Sequence, residues 1–93
     1  MPGYQKIIYT MRINRIPTGF TYSELATIYH KMHLKTYEQI GIALKTSNRT
    51  IENYILSLKR KTSSYYLSDI VDTLFVHGLS YEKLKKIVSK KGK

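Results

Sequence analysis

Ninety-three residues suffice for one domain, near the lower end of sizes that bury a self-sufficient core, so a homodimer is expected as an extra source of buried surface. Sixteen Lys and Arg against six Asp and Glu give a formal charge of +10, which points to a polyanionic partner, nucleic acid first. There is no cysteine, which excludes a disulfide framework and a thiolate metal site; no apolar run approaches the length of a membrane span, and the start MPGYQKII lacks a leader pattern. A soluble, cytoplasmic chain with no membrane association is expected.

Residues 6–16, KIIYTMRINRI, alternate so that Ile7, Tyr9, Met11 and Ile13 share one side while Lys6, Ile8, Thr10, Arg12 and Asn14 share the other. This predicts a strand, or two short strands of a hairpin, ended by a turn at Pro17 and Gly19. Phe20 then precedes Thr21 and Glu24, a hydrophobic staple with a capping box. Leu25, Ile28, Tyr29 and Met32 supply the buried face of a first helix.

After the connector His33, Leu34 and Lys35, Thr36 stands three residues before Gln39, a second capping box. Ile40 and Leu44 stack one turn apart, and Gly41 supplies a small residue for a close helix crossing. Ser47 is the next N-cap, followed by Ile51, Tyr54, Ile55 and Leu58 as an apolar stripe. At 100° per residue the opposite side of that helix carries Arg49, Asn53 and Arg60, flanked by Asn48, Glu52, Leu56 and Lys59.

These are side chains that read a major groove: Arg pairs bidentately with guanine, Asn with adenine, and Leu56 suits a thymine methyl. The base-reading candidates are therefore Asn48, Arg49, Glu52, Asn53 and Leu56. Phosphate candidates are Lys45, Ser47 and Thr50 at the turn, and Lys59, Arg60 and Lys61 at the far end of the helix. The segment 36–61 resembles the helix-turn-helix of winged-helix, response-regulator and sigma-type DNA-binding domains, in the pattern IG-x-x-L-x-x-S-x-x-TI-x-x-YI over Ile40 to Ile55. The turn position often held by Gly is Lys45, where a left-handed conformation costs on the order of 1–2 kcal/mol, so a looser turn is expected.

The resemblance implies a mainly α fold with a small β component, winged helix-turn-helix-like, with about five helices plus the N-terminal strand in a single domain over 1–93. It also implies a wing after the recognition helix. Only KRKTSSYYL is available there, enough for one strand that would pair with the strand over Ile7 to Ile13 and bring Arg12 and Arg15 toward phosphate. A rival reading makes the N-terminal strand the ribbon of a ribbon-helix-helix dimer; it is disfavoured because the better base-reading residues follow Ser47.

The stretch YYL reads as a short strand or the first turn of a helix. Leu67, Ile70, Val71, Leu74 and Phe75 have helical spacing, Gly78 stops that helix, and Ser80 caps a last one with Leu84, Ile87 and Val88 inward and Lys83, Lys85, Lys86, Lys90 and Lys91 outward. For these C-terminal helices, over 66–90, two roles stand side by side: dimerisation through Leu67, Ile70, Leu74 and Phe75 with the lysine-rich end on phosphate, which is preferred, or completion of the monomer core.

Enzyme chemistry is not expected. His30 and His33 share a helix face but no further ligand completes a metal site, Asp69 and Asp72 have no assigned partner, and Tyr65 and Tyr66 lack an activating base. No cofactor, metal or small-molecule ligand is expected. The function that results is sequence-specific binding of double-stranded DNA, by a transcriptional regulator or a mobile-element accessory factor, with small plasmid- and phage-encoded regulators and conjugation accessory proteins as the analogy. Other DNA-processing or transcription proteins are possible partners, and the alternative is a protein-interaction adaptor built on a repurposed helix-turn-helix surface, motivated by Ile42 and Leu56.

Overall fold

The structure, a computed structural model, describes residues 6–91. Residues 1–5, read above for a leader pattern, lie outside the described residues, as does the side chain of Lys91. Two strands, β1 (Ile7–Ile13) and β2 (Ile16–Thr21), precede five helices: α1 (Tyr22–Met32), α2 (Tyr37–Leu44), α3 (Asn48–Thr62), α4 (Leu67–Val76) and α5 (Tyr81–Lys91). The expected mainly helical fold with a small β component is what forms. Among the described residues no helix is long and apolar enough to cross a membrane.

The hairpin corrects the expected first turn. The chain reverses at Asn14 and Arg15, both at positive φ (54° and 69°), the two-residue pattern whose twist matches that of the flanking strands. Pro17 and Gly19 lie inside β2 instead of ending the strand. The pair closing the turn, Ile13 with Ile16, is the hydrogen-bonded one, so the next pair, Arg12 with Pro17, does not need the N–H that proline lacks. A register shift between Ile7 and Tyr9 breaks the predicted alternation. Ile7 now lies over Gly19, where an added Cβ would stand 2.8 Å from its Cγ2, and Ile8 turns toward α5.

Capping chemistry sets the helix starts as the sequence predicts. Thr21 and Glu24 exchange both bonds of a capping box at the head of α1 (3.2 and 3.0 Å), Thr36 and Gln39 do so at α2 (3.1 and 2.9 Å), and the hydroxyls of Ser47 and Ser80 accept from the third residue of α3 and α5. The helix ends share one device as well. Leu34, Lys45, Ser63 and Gly78 all take positive φ just past a helix, and the residue after each donates to the carbonyl five positions back, at 3.2, 2.8, 2.8 and 2.9 Å. The turn at Lys45 is therefore fully bonded, and the looser turn expected there does not occur.

The core is made by Met11, Ile13 and Phe20 of the hairpin, Leu25, Ala26 and Ile28 of α1, Ile55 and Leu58 of α3, Ile70 and Leu74 of α4, and Leu84 and Val88 of α5. Helix α1 lies at its centre, with α3 and α5 both packed on it. Ile70 and Leu74 are buried within the single chain, at 0% and 1% exposure, with Leu67 packed against them. Ile70 and Leu74 thus complete the monomer core, so of the four residues expected at a dimer face only the half-buried Leu67 and the exposed Phe75 keep surface open.

Among the described residues the strand expected after α3 does not form. Helix α3 continues to Thr62, whose hydroxyl donates to the Leu58 carbonyl at 2.8 Å, and Ser63 then closes the helix in the left-handed conformation. Strand β1 pairs with β2 on one edge, and among the described residues no strand follows α3 to pair with the other.

Candidate nucleic-acid interface

Helices α2 and α3 are joined by Lys45, Thr46 and Ser47, and the sharpness of that turn rests on Gly41. A Cβ there would stand 2.8 Å from the Thr46 carbonyl oxygen, and the Gly41 carbonyl accepts from Thr46 N at 2.8 Å. The glycine is thus needed first by the turn itself, and the next nearest atoms, of Ser47 and Asn48, belong to the start of α3. Ser47 Oγ accepts from Thr50 N at 3.2 Å and lies 3.1 Å from Thr50 Oγ1, so both hydroxyls take part in the cap that aims α3.

Helix α3 is divided sharply. Ile51, Ile55 and Leu58 are buried at 0%, 3% and 0%, while Asn48, Arg49, Glu52, Asn53, Leu56 and Arg60 are exposed and Lys59 is half-exposed. Arg49, Asn53, Leu56 and Arg60 fall within about 60° of one another around the axis, and Glu52 and Lys59 lie on one flank. Lys45 is exposed at the turn, and Lys59 and Arg60 place positive charge at the carbonyl end of the helix, where the dipole favours it. All five base-reading candidates therefore share one open surface, with cations at its two ends.

Lys61 does not belong to that surface. Its Nζ donates to Glu24 Oε1 at 2.8 Å and to the Gly19 carbonyl at 2.7 Å, and it lies 5.4 Å from the Phe20 ring centroid. Ser57 donates to the other Glu24 oxygen at 2.6 Å. Glu24, almost wholly buried, thereby joins its own capping box to two turns of α3 and, through Lys61, to β2. The phosphate role expected of Lys61 gives way to this internal one. The signal was present in the sequence: Lys61 projects about 20° from Tyr54, on the core side, and about 100° from Arg60. What could not be read was the partner, because Glu24 is 37 positions away.

Arg12 and Arg15 are exposed on the hairpin, which the Lys61 to Gly19 bond ties to the end of α3. The hairpin thus stands near the carbonyl end of α3 although it precedes that helix in the chain. His33, Asp69, Tyr65 and Tyr66 have structural partners. His33 Nε2 is 3.0 Å from Tyr81 OH, and the Tyr29 ring lies 4.6 Å from His33 and 6.0 Å from Tyr81, so this group joins α1 to α5. Burial, with Lys35 and His33 nearby, holds the His30 pKa below its ordinary 6.5. Asp69 accepts from Tyr66 N at 3.3 Å at the head of α4, and Tyr65 and Tyr66 pack edge to face with centroids 5.4 Å apart.

Comparison with protein-family models, with curated proteins and with solved structures finds no match to this chain. The functional reading rests on the residues and their placement.

Proposed function

We propose that this protein binds double-stranded DNA sequence-specifically, laying α3 in the major groove as the recognition helix of a helix-turn-helix. The observation that carries the reading is the division of α3: one face buried, the other presenting Arg49, Asn53, Leu56 and Arg60 together, in a chain of net charge +10. Arg49 and Asn53 read base edges with Asn48, Glu52 and Leu56 beside them. Lys45, Lys59 and Arg60, with Ser47 and Thr50 at the cap, engage phosphate, and the hairpin supplies Arg12 and Arg15 in place of a wing that would follow α3. The protein acts as a homodimer at an operator or at a plasmid or transfer site, needs no cofactor, and works in the cytoplasm on the nucleoid or on plasmid DNA.

A second reading, an adaptor that binds protein through the same surface, is favoured by Ile42 and Leu56, which are 71% and 56% exposed. Affinity selection on a random duplex pool at about 0.15 M salt separates the two, because purely electrostatic binding is weak there. An enriched palindrome supports a dimeric operator binder, and enriched direct repeats support an accessory role at a mobile element. A pool that returns unenriched overturns the DNA reading in favour of the adaptor.

A further inference from the structure

Strand β1 and helix α5 face each other across an open slot of about 400 Å³, lined by Ile8, Tyr22, Ile87 and Lys90. The bulge in β1 turns Ile8 to this side, where it stays 43% exposed. Tyr22 donates its hydroxyl to the Val88 carbonyl at 3.2 Å, and its side chain lines the slot. Burial raises the Tyr22 pKa, so that hydroxyl stays protonated as a donor. The rim is cationic. On α5 Lys83, Ile87 and Lys90 stand four and three residues apart and share a stripe. Lys83 Nζ reaches the Tyr9 ring at 5.6 Å, and Lys86 is exposed beside them. Glu82, the acidic residue of α5, falls about 140° from Ile87.

We propose that this slot docks an acidic, amphipathic segment of a partner protein, with one or two apolar side chains seated on Ile8, Tyr22 and Ile87 and carboxylates meeting Lys83, Lys86 and Lys90. Charge complementarity selects the partner's sign, and the concave apolar floor selects its shape. Nucleic acid would use the lysines and leave the floor without a function. A membrane surface is engaged by apolar side chains that project outward from a helix, whereas Ile8 and Ile87 line a recess. The slot is also separate from the α3 surface. Tyr22 points to α5 and Glu24 to α3, and the two lie about 160° apart around α1. A partner held here leaves Arg49 and Asn53 open.

The test titrates the full ¹⁵N-labelled chain with a synthetic helical peptide carrying Leu and Phe at i, i+3, i+4 and i+7 and Glu elsewhere. A permuted peptide of the same composition, whose apolar residues share no face, is the control. The expected result is saturable shifts at Ile8, Tyr22 and Ile87 with the amphipathic peptide, none at Arg49 or Asn53, and weakening of at least about tenfold in each of Ile8→Ser and Lys90→Glu. Both substitutions sit on the surface, and the free spectra report whether the fold is kept. Equal binding of the permuted peptide, absence of saturable shifts, or the same shifts from phosphatidylserine vesicles and not from the peptide would each overturn the proposal. No DNA enters the measurement, so its failure is distinct from failure of the DNA reading.

Discussion

The ammonium of Lys61 stands 2.8 Å from Oε1 of Glu24, and that contact joins α1 and β2 to the carbonyl end of α3. Glu24 caps α1, accepts from Ser57 one turn before Lys61, and shares Lys61 with the Gly19 carbonyl of β2. An ion pair of this kind is costly to break from one side, because the remaining partner keeps its desolvation penalty. Glu24→Ala is expected to destabilise the chain by about 2–4 kcal/mol, since it strands Lys61 and Ser57 and removes half of a capping box. Lys61→Ala should cost less, about 1–2 kcal/mol, because Glu24 keeps its bonds from Thr21 N and Ser57 Oγ and water can enter where the quarter-exposed lysine stood. Urea unfolding of the two variants checks the order, and an unshifted midpoint in Glu24→Ala would remove the cluster from the account of stability.

The same contact separates two lysines that adjoin in the sequence but for Arg60. Lys59→Ala should lower the salt slope of DNA binding by about 1, as one phosphate contact is lost. Lys61→Ala should leave the slope unchanged once unfolding is allowed for. Isotherms at several salt concentrations measure both.

Arg49→Ala and Asn53→Ala are each expected to cost about 1–3 kcal/mol of specific binding and to relax one base preference, with little change in stability because both side chains are exposed. Competition between the selected site and random duplex gives the result. Equal losses on both DNAs would mean that α3 contacts backbone and not bases.

The turn between α2 and α3 makes two opposed expectations. Lys45 adopts φ 59°, which glycine tolerates without strain, so Lys45→Gly should stabilise the protein by about 1 kcal/mol. Gly41→Ala should destabilise it by about 1–2 kcal/mol, although alanine is the better helix former, because the new Cβ meets the backbone oxygen of Thr46 at 2.8 Å. Thermal unfolding of the two variants should move the midpoint in opposite directions.

His30 brings a pH dependence. Its folded pKa lies below 6.5, chiefly from burial, so the unfolded chain takes up a proton at a higher pH than the folded one does. The stability it contributes is complete above about pH 6.5 and is lost as pH falls from there through the folded pKa. Between pH 7 and pH 5 the wild-type midpoint should therefore drop further than that of His30→Gln, and parallel curves for the two proteins would assign the acid sensitivity elsewhere.

Much of this molecule was legible in the sequence because the signals are local. The hydroxyl and Glu or Gln pairs at Thr21 and Thr36, the caps Ser47 and Ser80, the stop at Gly78 and the stripe Ile51, Ile55, Leu58 each act within a turn or two of helix, so spacing alone places five helices and divides α3 into a buried and an open face. The tertiary structure decided what depends on distant partners. Hairpin register is one case: backbone conformation at Asn14 and Arg15 overrode the turn residues Pro17 and Gly19, and β1 took β2 as its partner while the chain after α3 closed in a turn at Ser63. The fate of Ile70 and Leu74 is another, since an apolar face reads the same whether a neighbouring helix or a second chain covers it. Lys61 is the third: its charge was visible, but the carboxylate that claims it sits on another helix, and only folding brings the two within 2.8 Å.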